Sequence, residues 1–445
     1  MGIYRDLFKI AIPVALQQFL FSSVSFLDTL MIGRLGEDAI AAIGLANQFF
    51  FFYNIVLFGL VSGGAIFFSQ FWGKGDFEGL SKSTALTTLS SLFVSIPFFV
   101  LSLFFPGYVM RFFSPDPIVI ELGVKYIKIL SISFPIFAIS MVFSFMLRSI
   151  HKAHIPMYTT IIELTTNVFL NYVLIFGNFG FPKLGVIGAA IATVFSRIIG
   201  LFVLIVTVKL QKLPGMFSLH HIGALNKNFI NRFFHYTLPT LANEFAWSLG
   251  FTMYSVIYAH MSTKVIAARN IIGTIEGFAW AFSFSLANAA SVIIGNYLGA
   301  KRFGEAYKIS RKIIKLTEIV ATISAAATYI LTVFSVDLFN ISQDVKSLVI
   351  VAMAISMGFV PIKIFNGLNI VGFLRAGGDT RFSFAVEATT LWVLGVPLAA
   401  IGGLILKLSF PLVLLLTMVD EITKFFILLS RYKSRKWVRN VVENI

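Results

Sequence analysis

Apolar runs long enough to cross a bilayer recur from one end of this chain to the other, and they limit its folding more than any other feature. About 18 to 20 apolar residues in helical form span a hydrocarbon core of roughly 30 Å. Only 12% of the residues are charged, against about a quarter in soluble proteins. Membrane β-strands are about ten residues long and alternate in polarity, whereas these runs are longer and apolar all round. The chain therefore reads as an all-α integral membrane protein of about twelve transmembrane helices. They are expected at 8–33, 46–72, 84–107, 120–148, 158–177, 186–210, 231–260, 265–298, 312–336, 346–374, 382–405 and 410–430. The short loops leave no room for a soluble domain, which puts function inside the membrane. No short apolar stretch precedes a small-residue cleavage site, so the first span is expected to serve as the insertion signal. Without cysteine there is no disulfide framework and no thiolate metal site.

The formal charge of +15 invites a nucleic-acid reading, but the basic residues are spread like a topology signal. With a cytoplasmic N-terminus, loops on that side hold Lys74, Lys82, Arg148, Lys152, the 209–232 stretch, Lys301 to Lys315, Arg375 and Arg381. The tail adds Arg431 to Arg439. Opposite loops carry isolated bases such as Arg34, Arg111 and Lys183. This asymmetry predicts a multi-pass protein of the cell's inner or plasma membrane with both termini cytoplasmic. Lipid headgroups are then a secondary contact, and no nucleic-acid partner is expected.

The chain also repeats itself. "IPVALQQF" at 12–19 aligns with "LPTLANEF" at 238–245, placing Pro13 on Pro239 at an offset of 226. At that offset "SQFWGKGDFE" (69–78) falls on "GNYLGAKRFG" (295–304), and one residue further on "MLRSI" (146–150) meets "FLRAG" (373–377). Two pseudo-symmetric six-helix bundles follow, an N-lobe at 1–215 and a C-lobe at 216–445. An even number of spans per repeat gives both the same orientation, a recurring plan of secondary transporters that leaves a cleft between lobes.

Ionisable groups inside membrane helices are rare and mark functional sites by default. In the first half these are Asp28, Glu163 and Arg197. Glu163, Asn167 and Asn171 recur at four-residue steps on one helix face, as do Thr193 and Arg197. The oxygens of Asp28, Asn167, Asn171 and Thr193 suit either coordination of a Na⁺ or a protonatable aspartate. An apolar surround favours the neutral form of a carboxyl group, and a nearby Arg197 would act the other way. Asn and Thr also simply hold membrane helices together, at about 0.6 kcal/mol each. A structural Asp28 needs a partner such as Arg197, which can equally pair with Glu163.

In the second half Asn243 and Glu244 lie in the seventh span, Glu276 in the eighth and Lys363 in the tenth. At the repeat offset Asp28 falls on Tyr254 and Glu244 on Gln18, so the acidic positions are not duplicated. Glu244 and Glu276 are candidates for a cationic substrate or a second coupling ion; pairing of one with Arg269 is the plain alternative. Aromatic residues reach 15%, with 50 Phe. Most serve lipid contact and packing, and those lining a cleft suit flat lipophilic cations. The small residues Gly185, Gly188, Ala189, Ala190 and Ala192 read as a close helix contact. No HExxH, no GxS motif with an intramembrane histidine and no metal-ligand cluster appears, so neither an enzyme nor a cofactor is expected.

Taken together, "FLDTLMIGRLGEDAIAAIGLANQ", "SQFWGKGD", "LRSIHKAHIPMY", "NVFLNYVLIFGNFGFPKLGVIGAAIATVFSR", "VIAARNI" and "GNYLGAKRFGEA" resemble the multidrug and toxic compound extrusion (MATE) family over essentially the whole chain. The resemblance implies a twelve-helix fold of two lobes that extrudes cationic or amphiphilic compounds in exchange for H⁺ or Na⁺, and a protein that works as a monomer. It places the family's first-span aspartate on Asp28, its fifth-span asparagine on Asn167 and its sixth-span threonine on Thr193. Asn171 stands where some members have a second aspartate, and the seventh-span glutamate of others lies about one turn beyond Glu244. No counterpart of a tenth-span acidic residue is evident, although Asn366 and Asn369 lie nearby. A flippase for lipid-linked sugars or another amphiphile is the alternative cargo on the same architecture.

Overall fold

The computed structural model describes residues 2–338 and 342–443, without the side chains of 3, 22, 24–26, 29, 278, 279, 281, 282 and 338. No strand occurs among the described residues. The first repeat contains α1 (Gly2–Gly33), α2 (Glu37–Lys74), α3 (Phe77–Phe104), α4 (Pro106–Phe113), α5 (Pro117–Leu130), α6 (Ser133–Ser149), α7 (His154–Phe176) and α8 (Val186–Leu210). After a short α9 (Leu219–Gly223), the second contains α10 (Lys227–Met261), α11 (Thr263–Gly299), α12 (Phe303–Ser335), α13 (Gln343–Gly358), α14 (Val360–Gly367), α15 (Thr380–Thr389), α16 (Val396–Ala400) and α17 (Phe410–Lys433).

Each of the twelve expected spans falls on a helix or on a run of consecutive helices. The helices overrun the apolar windows: α2 begins at Glu37 and α12 at Phe303, each nine residues before the window expected for it. Hydropathy marks where the bilayer core lies, not where a helix begins. The added turns are polar helix, with Glu37 and Asp38 at the positive end of the α2 dipole. Asp76 caps α3, accepting from Gly79 N at 2.8 Å.

Two spans are bent, and they are repeat mates. The α5–α6 pair bends by 50° and the α13–α14 pair by 47°. Pro135 and Pro361 follow the two breaks at the same repeat position. Proline lacks an N–H and crowds the preceding turn, which turns a long helix into two. Beyond α14 the chain winds as π-helix through Leu368–Leu374, and again through Thr390–Gly395 and Ile401–Ile405 around α16. Such stretches are rare and gather at functional sites.

The chain forms two compact units. One comprises Ile12–Trp72 and Asp76–Phe234. Its core includes Tyr53, fully buried, stacked on Phe134 at 4.9 Å and hydrogen-bonded to Ser95 and to the Phe134 carbonyl. The first turns of α10 pack on α2, where Phe71 lies parallel to Phe229 and Phe67 meets Phe233. Helix α8 runs along α7 at very short range. The connecting loop folds back so that Leu184 N donates to Leu174 O at 2.9 Å. Gly188 then lies so close that a Cβ there would sit 2.6 Å from the Leu174 carbonyl oxygen. The small-residue run expected to give a close helix contact does so here.

The other unit comprises Met1–Ala11, Gly73–Gly75 and His235–Ile445. Val349, Met353 and Val413 form part of its apolar centre, with Tyr258 edge-on to Phe410 at 5.2 Å. Its tail is bound rather than loose. Trp437 is fully buried and stacked against Phe373 and Tyr432, and Asn440 donates to the Leu298 and Gly299 carbonyls at the end of α11.

Candidate functional site

In the first unit one hydrogen-bonded chain links three helices. The Asn171 amide donates to Asp28 Oδ1 at 2.6 Å and to Asn167 Oδ1 at 3.1 Å. Asn167 in turn donates to the Thr193 hydroxyl at 3.4 Å, and Thr193 donates to Ala189 O, one turn earlier in α8. The four-residue steps of α7 explain the order: successive amides lie one above the other on the face turned to α1 and α8. Asn167 and Asn171 are buried, and Asn171 Oδ1 has no partner among the described residues. Tyr126 of α5, also buried, faces both Thr193 and Asp28.

Arg197 lies one turn beyond Thr193, and its guanidinium is enclosed by aromatic rings. It sits 4.3 Å from the Phe50 centroid and 5.1 Å from that of Phe137, and donates to Ser133 Oγ at 2.7 Å. Ser133 in turn donates to Leu130 O, so the arginine is fastened at the α5–α6 bend. Its field reaches both Glu163 and Asp28, but no salt bridge to either occurs among the described residues. Glu163 rests against Gly200 of α8. Arg197 thus lies in the field of two carboxylates without an ion pair to either among the described residues, and the alternatives stay open.

In the second unit the candidates separate. Glu244 accepts from Arg375 at 2.6 Å, with the arginine buried. Glu276 accepts from Arg269 at 2.9 Å, and also faces Ser356 and Lys363. Asn243 is buried, with its amide oxygen unpartnered among the described residues. No direct hydrogen bond or ion pair joins Glu244 to Glu276 among the described residues; Glu244 lies in the field of Glu387 and Glu276 in that of Lys363. Arg375 lies in the turn after Leu374, as expected of a loop residue, but it is buried there rather than exposed. Arg148, its mate in the first repeat, is likewise engaged, donating to Gln17 Oε1 at 2.5 Å.

Four ionisable residues within the last two spans join the candidates: Glu387, Asp420, Glu421 and Lys424. Lys424 Nζ donates to Glu387 at 2.9 Å and to Glu421 at 3.2 Å. Asn366 reaches Glu421 Oε2 at 2.7 Å, so the acid near the tenth span comes from α17. The signal that flags Asp28, a charge inside an apolar span, was present for all four. No group of histidine, cysteine or carboxylate side chains suited to a metal ion occurs among the described residues.

Comparison with known proteins agrees with this architecture. The MatE family model matches twice, over residues 13–173 and 239–401. An uncharacterized transporter, YisQ of Bacillus subtilis (strain 168), is 25% identical over 98% of this chain and 95% of its own length. A probable multidrug resistance protein, NorM of Streptococcus pneumoniae (strain ATCC BAA-255 / R6), is 26% identical over 88% of this chain and 86% of its own. Among solved structures, a MATE protein crystallised in the bent conformation superposes with a TM-score of 0.87, at 18% identity, covering 98% of this chain and 97% of that one. With the family model matched over both segments, twelve helical segments in order and polar side chains gathered inside them, the chain belongs to the MATE family of membrane transporters.

Proposed function

We propose that the protein is a secondary active efflux antiporter, which exports cationic, lipophilic small molecules in exchange for protons by alternating access. The observation that carries this reading is the chain Asp28–Asn171–Asn167–Thr193. With Asp28 charged, the Asn171 amide donates to it. With Asp28 neutral, the carboxyl must donate instead, and the unpartnered Asn171 oxygen is the acceptor that one amide flip supplies. Proton uptake would then reorient Asn171 and, through Asn167, loosen the contact between α7 and α8. The multidrug resistance proteins among its relatives support the export of varied compounds, and the abundant aromatic side chains suit flat cations. Entry of one charge down a potential of 100 mV yields about 2.3 kcal/mol, enough to drive extrusion. We place the protein in the cell's inner or plasma membrane with both termini cytoplasmic, acting as a monomer through two six-helix lobes.

Sodium is the competing ion, because the same oxygens can in principle coordinate it. The hydrogen bonding favours the proton, since the Asn171 NH₂ group already occupies the space between Asp28 and Asn167. A flippase cargo is less favoured because Arg197, Arg269, Arg375 and Lys424 each face a carboxylate, which leaves Arg148, bound to the Gln17 amide, as an arginine with no carboxylate beside it among the described residues. The test is efflux of a fluorescent cationic dye from proteoliposomes, with pH and Na⁺ gradients imposed separately. Efflux should follow the pH gradient and be lost in Asp28→Asn. Normal pH-driven efflux by that variant, or efflux that follows Na⁺ alone, refutes the assignment.

A further inference from the structure

The second unit buries more negative charge than its cations offset, and the excess falls on one side chain. Glu387 from the end of α15 and Asp420 and Glu421 from α17 surround Lys424, one helical turn beyond Asp420. Lys424 donates to Glu387 and Glu421, but its Nζ stands 4.0 Å from Asp420 Oδ2. Glu387, Asp420 and Lys424 are at most 6% exposed. Lys363 faces Glu421 and Glu276, and Glu276 already has Arg269. Counting both lysines, one negative charge is left over. A buried charge without compensation costs several kcal/mol, so one carboxyl group must be neutral or hold a further cation. Asp420 is the member farthest from the ammonium.

Tyr254 from α10 meets it there. The tyrosine hydroxyl is buried and has no hydrogen-bond partner among the described residues. A Cβ on Gly395 would overlap that hydroxyl and lie 3.1 Å from Asp420 Cγ, so both groups converge on one bare stretch of backbone. Gly395 ends the π-helical turn Thr390–Gly395 that follows Glu387. The other groups in the field of Asp420 are Tyr258 on α10, Glu387 on α15, and Glu421 and Lys424 on its own helix.

The repeat gives this cluster a place. The Gln17–Arg148 and Glu244–Arg375 contacts correspond: Arg148 meets Arg375 at an offset of 227, and Gln17 stands one residue from Gln18, the mate of Glu244 at 226. At the offset of 227 Thr193 falls on Asp420 and Arg197 on Lys424, while Tyr254 is the mate of Asp28 at 226. The second repeat therefore holds its acid where the first holds Thr193, and a hydroxyl where the first holds its acid. We propose that Asp420 is a second exchangeable proton site, alternating between a neutral form and an anion that accepts from the Tyr254 hydroxyl. The ligand is a proton rather than Na⁺ because Lys424 already fills the space between the carboxylates that a metal cation would occupy. Only the use of this proton in transport rests on the antiporter reading; its binding does not.

Infrared difference spectroscopy of the purified full-length protein in lipid, between about pH 5 and about pH 9, reads carboxyl protonation directly. Asp28→Asn should keep a pH-dependent carboxyl band, part of which disappears when Asp420→Asn is added. Tyr254→Phe, a milder change, should shift the midpoint of that part and no other. An unchanged band on adding Asp420→Asn, an unmoved midpoint in Tyr254→Phe, or loss of the band when NaCl is added at fixed pH overturns the proposal. Failure of the antiporter reading appears elsewhere, as dye efflux indifferent to pH gradients, and leaves the Asp420 band in place.

Discussion

Replacing Gly188 by alanine tests how the close approach of α7 and α8 supports the polar chain between them. The added Cβ would lie 2.6 Å from Leu174 O, 2.7 Å from Leu174 C and 3.0 Å from Ile175 N. All three are backbone atoms, and Leu174 O is also bound by Leu184 N, so no side chain can swing aside. Reaching ordinary contact requires the helices to part by roughly 0.8 Å, and overpacking of this kind costs about 1–3 kcal/mol. The Asn167–Thr193 contact is already 3.4 Å long, and any parting at this end of the pair breaks it. Gly200→Ala is the control on the same helix, because its Cβ would meet the end of the Glu163 side chain, at 3.0 Å from Oε2. Gly188→Ala should lower the apparent Tm in detergent and slow dye efflux severalfold, whereas Gly200→Ala should change both little. Equal behaviour of the two variants, in either direction, refutes the reasoning.

Other consequences can be measured in the same preparations. Glu244→Gln should retain gradient-driven efflux, because Gln17 makes the equivalent contact to Arg148 in the first repeat; Glu244→Ala should destabilise the protein by about 3 kcal/mol by removing the carboxylate that faces the buried Arg375 guanidinium at 2.6 Å. Thermal unfolding and efflux of both variants check this, and loss of coupling in Glu244→Gln would return that residue to the coupling candidates. Trp437→Ala should cost about 3–5 kcal/mol by emptying a fully buried aromatic site, visible as a lower Tm and poorer monodispersity. An unaltered Tm would show that the tail is not part of the core.

All twelve spans were legible because the bilayer core imposes a length of apolar sequence that nothing else requires. Their ends were not: the charged first turns of α12, Phe303 to Lys312, are helical for reasons that hydropathy does not sense. The company of Asp28 was readable from the spacing of Asn167 and Asn171 on α7, since a helix carries residues four apart to one face. The partner of Glu244 was not, because Arg375 lies 131 residues away and only the packing of helices brings it near. Asp420, Glu421 and Lys424 show a different failure. Acids and a base at three- and four-residue spacing neutralise one another in an average over the span, while each remains a charge that the fold must satisfy.

The paired contacts Gln17–Arg148 and Glu244–Arg375 keep one geometry with two chemistries. An amide accepting from an arginine leaves a full positive charge at that end of the first repeat, while a carboxylate in the same position cancels it in the second. A transmembrane voltage acts on each elementary charge within it with up to about 2.3 kcal/mol per 100 mV, and a neutral pair feels almost no net pull. Two halves built to one plan therefore differ in what the electric field of the membrane can grip.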